Sequence, residues 1–98
     1  MEGERLACCA AHADNVAPSL FGGITLIPSY EPLLVRSLPV PENLYVTLIY
    51  SKVEVPTKDA RKLIKDKVQL SKAIKQWGNI ASLVAALYEN DYEEIGRS

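Results

Sequence analysis

Apolar and polar residues follow three patterns along the chain. Residues about 3–11 are rich in good helix formers and predict the tail of a helix. The run Ala11–Gly23, AHADNVAPSLFGG, opens with polar residues and is then punctuated by Pro18 and the pair Gly22-Gly23. Pro18 predicts that no helix continues through it, and the glycines predict a sharp turn, so the run reads as a helix ending in a polar site. Ile24–Ile27 is a short apolar run, predicted as a strand. PSYEP, Pro28–Pro32, reads as a loop, and Leu33–Leu38 as a second strand, giving an antiparallel hairpin. Pro39–Asn43 breaks the chain again. Leu44–Tyr50 is apolar on both faces and rich in β-branched and aromatic residues, which predicts a third, central strand.

The second half changes period. Thr57 follows Pro56 as a candidate helix cap, with Asp59 in the first turn, where negative charge suits the dipole. Ala60, Leu63 and Ile64 then predict the buried stripe of a short helix. Ser71 is a candidate cap for a longer one. Leu70, Ile74, Trp77, Ile80 or Ala81, Val84 and Leu87 recur there at helical spacing to about Tyr88. Gly78 inside that helix predicts close packing against a neighbour. Asn90-Asp91 starts a final short helix. The expected fold class is α+β: a helix tail, three mostly antiparallel strands, then two or three helices. The 98 residues form one unit, strand-rich over about 1–56 and helical over about 57–98, with no internal repeat, low-complexity tract or linker.

Composition narrows the class. Charged residues make up 23% and hydrophobic ones 48%, as in a folded soluble piece and unlike a disordered chain. A net charge of −1 offers no electrostatic footprint for nucleic acid or an acidic membrane surface. The apolar runs are too short to span a bilayer, and MEGER lacks the apolar core of a secretory leader. Cys8 and Cys9 are adjacent, a geometry that resists bridging, and no third cysteine exists. A reduced, cytoplasmic protein is the expectation. One cysteine, His12 and Asp14 could be imagined around a zinc ion, Cys8 and His12 being four residues apart on a helix. Small thiols packed against a neighbouring helix are the preferred reading.

Six polar residues are candidates for chemistry: Glu4, His12, Asp14, Asn15, Thr57 and Arg61. Each has an ordinary explanation. Glu4 suits a solvated helix face, His12 a structural hydrogen bond, and Asp14 and Asn15 a turn. Thr57 suits a helix cap, and Arg61 an exposed charge. As a set they could converge on a ligand that bears an amine, a carboxylate and a hydroxyl. A non-catalytic α+β interaction module forming a small homo-oligomer is the alternative.

The set also carries a resemblance. His-Ala-Asp-Asn-Val-Ala-Pro-Ser-Leu-Phe-Gly-Gly, from His12, is similar to the segment that follows the phosphate-loop helix in homoserine kinases of the GHMP small-molecule kinase superfamily. Glu4 stands where these kinases carry a magnesium-linked glutamate. Tyr30-Glu31-Pro32-Leu33 resembles their hairpin turn, and Val55–Arg61 their Thr-x-x-Ala-Arg helix start. The match is collinear over essentially the whole chain. It implies a fragment of the GHMP kinase fold, spanning the end of its N-terminal domain and the start of its C-terminal domain. It also implies that Met1 starts a fragment, not the natural protein.

The reaction that the resemblance implies is ATP-dependent phosphorylation of the L-homoserine hydroxyl in threonine biosynthesis. Arg61 would grip the substrate carboxylate, Asp14 its ammonium, and Asn15 would orient the reacting hydroxyl as the catalytic contact. His12 and Thr57 would complete the substrate-binding lining, and Glu4 would hold Mg2+. Mevalonate- and galactose-type relatives fit less well, because their substrates lack the amino-acid head group. The family's glycine-rich Pro-x-x-x-Gly-Leu-Gly-Ser-Ser-Ala loop, which cradles ATP phosphates, is absent. ATP and Mg2+ are thus expected for the intact enzyme and no tight cofactor for the chain alone. Orphaned strand edges would favour a homodimer or a strand-exchanged dimer.

Overall fold

A computed structural model of the protein describes residues 12–98. The expected helix tail, Glu4, Cys8 and Cys9 lie outside the described residues. Among the described residues, the polar run opens a helix. Asp14 and Asn15 form a turn that leads into α1, Val16–Phe21. The Ala17 N–H donates to the Ala13 carbonyl at 2.9 Å and the Ser19 N–H to that of Asn15 at 3.2 Å. Pro18, expected to exclude a helix, sits in the first turn of α1, where its missing N–H forgoes a single bond. Its own carbonyl accepts from the Gly22 N–H at 2.8 Å. Gly22 then adopts φ 70°, ψ 179°, a conformation open essentially to glycine alone. That reverses the chain into the sheet.

Among the described residues the sheet is two-stranded. β1, Ile24–Tyr30, pairs antiparallel with β2, Leu33–Leu38, in a register that runs from Ile24 opposite Leu38 to Tyr30 opposite Leu33. β1 is three residues longer than the apolar run Ile24–Ile27 and passes through Pro28. The register slips between Leu26 and Ser29, and Pro28 sits in that slip, where no ladder N–H is required of it. The expected five-residue loop thereby shrinks to Glu31-Pro32, joined by a cis peptide bond.

The expected third strand, Leu44–Tyr50, joins no ladder among the described residues. Tyr45, Val46, Leu48, Ile49 and Tyr50 are 81–89% exposed. An apolar run reports suitability for burial, but a strand also needs a neighbour whose backbone groups pair with its own. No described segment supplies that neighbour.

Three helices follow. α2, Thr57–Lys62, begins one residue after its cap position, Pro56, so Thr57 lies inside the helix. Its expected buried stripe is not buried: Leu63 and Ile64 are exposed, and no residue of α2 is buried. α3, Leu70–Glu89, is capped at Gln69 with Ser71 in its first turn, and its 20 residues make about 30 Å of helix. The stripe along it divides. Ala86 and Leu87 are buried, whereas Leu70, Ile74, Trp77 and Ile80 stay exposed. A methyl group at Gly78 would meet nothing within 4 Å, so the expected close packing there is absent. Asn90 ends α3 in the left-handed conformation (φ 55°, ψ 37°), which asparagine tolerates, and the Asp91 N–H returns to the Ala86 carbonyl at 3.0 Å.

α4, Tyr92–Arg97, is capped by the Asp91 carboxylate, which accepts from the Glu94 N–H at 3.0 Å. Glu94 joins α4 to α3. Its carboxylate accepts from the Ser82 hydroxyl, from Arg97 through Nε at 2.8 Å and through Nη2, and from the Ser98 hydroxyl at 3.3 Å. The Arg97 hydrogen bonds foremost, then that of Ser82, hold the Glu94 pKa down at about 2 despite some desolvation. Tyr92 reaches further back, its hydroxyl accepting from the Asn43 N–H at 3.2 Å.

Among the described residues, the buried hydrophobics are Ala13, Ala17, Ala86 and Leu87. The protein exposes 8494 Å², whereas a compact monomer of this mass exposes about 5,500 Å². Its radius of gyration is 15.7 Å, against about 13 Å for a close-packed domain of similar length. Among the described residues no helix is long and apolar enough to cross a membrane.

Candidate functional site

The site residues fall into two groups on two different elements. The first is His12, Asp14 and Asn15, around the turn that enters α1. Ala13, between His12 and Asp14, is buried, and both of its backbone polar groups are engaged. Its carbonyl accepts from Ala17, and its N–H donates to the Tyr30 hydroxyl at 3.4 Å. The backbone is therefore anchored while the flanking side chains are left open: His12 is half-buried, and Asp14 and Asn15 are exposed.

The second group is Thr57 and Arg61 on α2. A spacing of four places them one turn apart on the same helix face. Thr57 is exposed and Arg61 half-buried. Thr57 also lines an open concavity of about 500 Å³ with Tyr50, Ser51, Val53, Glu54, Val55 and Pro56. His12, Asp14, Asn15 and Arg61 do not line it.

Among the described residues, no side-chain hydrogen bond or ion pair joins the two groups. None engages the side chain of His12, Asp14, Asn15, Thr57 or Arg61. Asp59, between Thr57 and Arg61, does bond locally, accepting from Lys62 Nζ at 3.3 Å. One element thus carries a carboxylate, an amide and a half-buried imidazole, and the other a guanidinium fork and a hydroxyl.

Two kinds of site are not built by the described residues. They contain no cluster of three His, Cys, Asp or Glu residues that could hold a metal ion. They also contain no phosphate cradle. Gly22-Gly23 leads directly into β1, and a methyl group at Gly23 would stand 3.5 Å from the Val40 side chain, so this pair serves the turn and its packing.

From the sequence, Tyr30 is no more than part of the hairpin turn, with no tie to the polar run. It stands 17 residues from Ala13, at the end of a strand that the apolar pattern stops at Ile27. Nothing local in the sequence signals that its hydroxyl reaches back to the polar turn.

No protein-family model matches the chain. Homoserine kinases do. The chain is 48% identical over all 98 residues to the homoserine kinase of Chloroherpeton thalassium and 47% identical over 98 residues to that of Chlorobium phaeobacteroides. It is 44% identical over 97 residues to that of Thermococcus gammatolerans. In each case it spans 31–32% of the relative's length. The crystal structure of homoserine kinase from Cytophaga hutchinsonii superposes with a TM-score of 0.92 at 59% identity, over 99% of this chain and 31% of that one. The chain is thus homologous throughout to a segment of homoserine kinases and shares that segment's α+β fold.

Proposed function

We propose that this chain forms the acceptor-binding segment of a homoserine kinase, an ATP-dependent phosphotransferase acting on the hydroxyl of L-homoserine in threonine biosynthesis. The observation that carries this reading is the shared fold at 59% identity with the Cytophaga hutchinsonii enzyme over 99% of the chain. The chemistry of the two residue groups supports it.

Phosphoryl transfer asks a protein mainly for positioning and charge neutralisation. In this reading Arg61 holds the homoserine carboxylate with two parallel N–H donors, and Asp14 accepts from its ammonium. Asn15 hydrogen-bonds the reacting hydroxyl and fixes its direction of attack. His12 and Thr57 add polar contacts that discriminate against apolar analogues. The described residues do not fit ATP or Mg2+ by themselves. Those ligands are assigned to residues outside 12–98, with Glu4 as the candidate magnesium contact, and this segment's own contribution is to bind and orient the acceptor.

The test is a transplant. The matching segment of the Cytophaga hutchinsonii kinase is replaced by these 98 residues, and homoserine-dependent ADP formation is measured. Turnover within about tenfold of the parent, equivalent to roughly 1.4 kcal/mol, is the expected result. A folded, ATP-binding chimera that makes no ADP in response to homoserine would refute the reading and favour a non-catalytic interaction module.

A further inference from the structure

We infer that Tyr30 is a positioning residue for the acceptor site, fixing through its hydroxyl the backbone from which His12 and Asp14 project. The inference rests on the functional reading above. The Ala13 N–H lies on a residue that is 2% exposed. A buried N–H requires a partner, and among the described residues the Tyr30 hydroxyl supplies it, at 3.4 Å. Ala17 and Ser19 bond back within the α1 turn to Ala13 and Asn15. The bond from Ala13 to Tyr30 instead leaves that element and reaches the far end of the hairpin. Tyr30 is itself held there by pairing with Leu33. The hairpin therefore sets where the turn lies, and side chains on either side of Ala13 inherit that placement. Neither His12 nor Asp14 has a side-chain hydrogen bond of its own among the described residues to do this work.

Tyr30 touches no reacting atom in this scheme, so its removal should misplace the acceptor and spare the nucleotide. Tyr30→Phe in the transplanted kinase deletes the hydroxyl and keeps the ring. The expected result is a homoserine KM raised about two- to tenfold, as for loss of one neutral hydrogen bond, with the ATP KM unchanged. Deuterium exchange in the peptide covering residues 12–21 should accelerate in the same variant. Tyr88→Phe, removing an exposed hydroxyl from α3, should alter neither. Three outcomes overturn the inference: an unchanged homoserine KM, unchanged exchange in that peptide, or ATP and homoserine KM rising together as in a general loosening. If the unsubstituted chimera lacks homoserine-dependent turnover, it is the functional reading that fails. The exchange rates then still decide whether Tyr30 fixes the turn.

Discussion

The Ser82 hydroxyl donates to the Glu94 carboxylate, and this bond fastens the final helix across the end of α3. The same carboxylate receives Arg97 twice and Ser98 once, so one acidic group holds four donor atoms from three residues. Because these donors favour the ionised form, Glu94 titrates at about 2 in the folded chain instead of at its ordinary 4.5. The sign follows from linkage. The folded state binds this proton less readily, so the contribution is fully present above about pH 4.5 and fades as pH falls through about 2. A carboxyl 13C titration of Glu94 should give a midpoint near 2. Arg97→Gln should raise that midpoint more than Ser82→Ala does. A midpoint near 4.5 in the unsubstituted chain would show that the cluster does not form in solution.

Gly22 gives a test of backbone conformation free of packing effects. A methyl group added there meets nothing within 4 Å, yet φ is 70° and ψ 179°. Gly22→Ala should therefore destabilise the transplanted kinase by about 1–3 kcal/mol through torsion alone. Denaturant unfolding would register this as a lower midpoint with an unchanged slope. A neutral substitution would mean that the α1–β1 connection can adopt another path.

Arg61→Lys keeps the charge and removes the planar two-donor fork. If Arg61 grips the homoserine carboxylate, binding should weaken by about 1.5–3 kcal/mol, roughly ten- to over a hundred-fold. In the transplanted kinase this is read as a raised homoserine KM beside an ATP KM near the parent value. The opposite pattern would assign Arg61 to the nucleotide.

Taken alone, the 98-residue chain should form no ADP in response to homoserine, since its sequence contains no glycine-rich phosphate loop. Coupled-assay turnover that follows the purified chain through successive columns would contradict this. The exposed Leu44–Tyr50 run should also make the isolated chain self-associate. Leu48→Lys should shift sedimentation towards monomer, and identical sedimentation of both forms would move the association elsewhere.

How far the fold could be read from the residues depended on the range of the forces involved. α3 was legible because its period and its end at Asn90 are written within one stretch of chain. The hairpin was legible in kind, but Pro28 hid its length, because a bulge that excuses a proline depends on the partner strand. Leu44–Tyr50 and the Ala60–Leu63–Ile64 stripe were misread for a shared reason. Apolar patterning states a demand for burial, and whether a described neighbour meets it is a tertiary matter. The candidate site residues come from the homoserine kinase resemblance, and their roles belong to the proposed function. The anchoring of Ala13 by Tyr30 was not legible, since a contact across 17 residues leaves no periodic trace.

The small core has a calorimetric consequence. Among the described residues, three alanines and one leucine are the buried hydrophobics, so melting this part would hydrate little apolar surface beyond what is already wet. The heat-capacity increment and the denaturant slope both scale with newly exposed surface. Both should fall well short of the values usual for a domain of this length. Its thermogram should be broad and shallow, with the α3–α4 end loosening separately from the hairpin. A single melting temperature would then describe neither part.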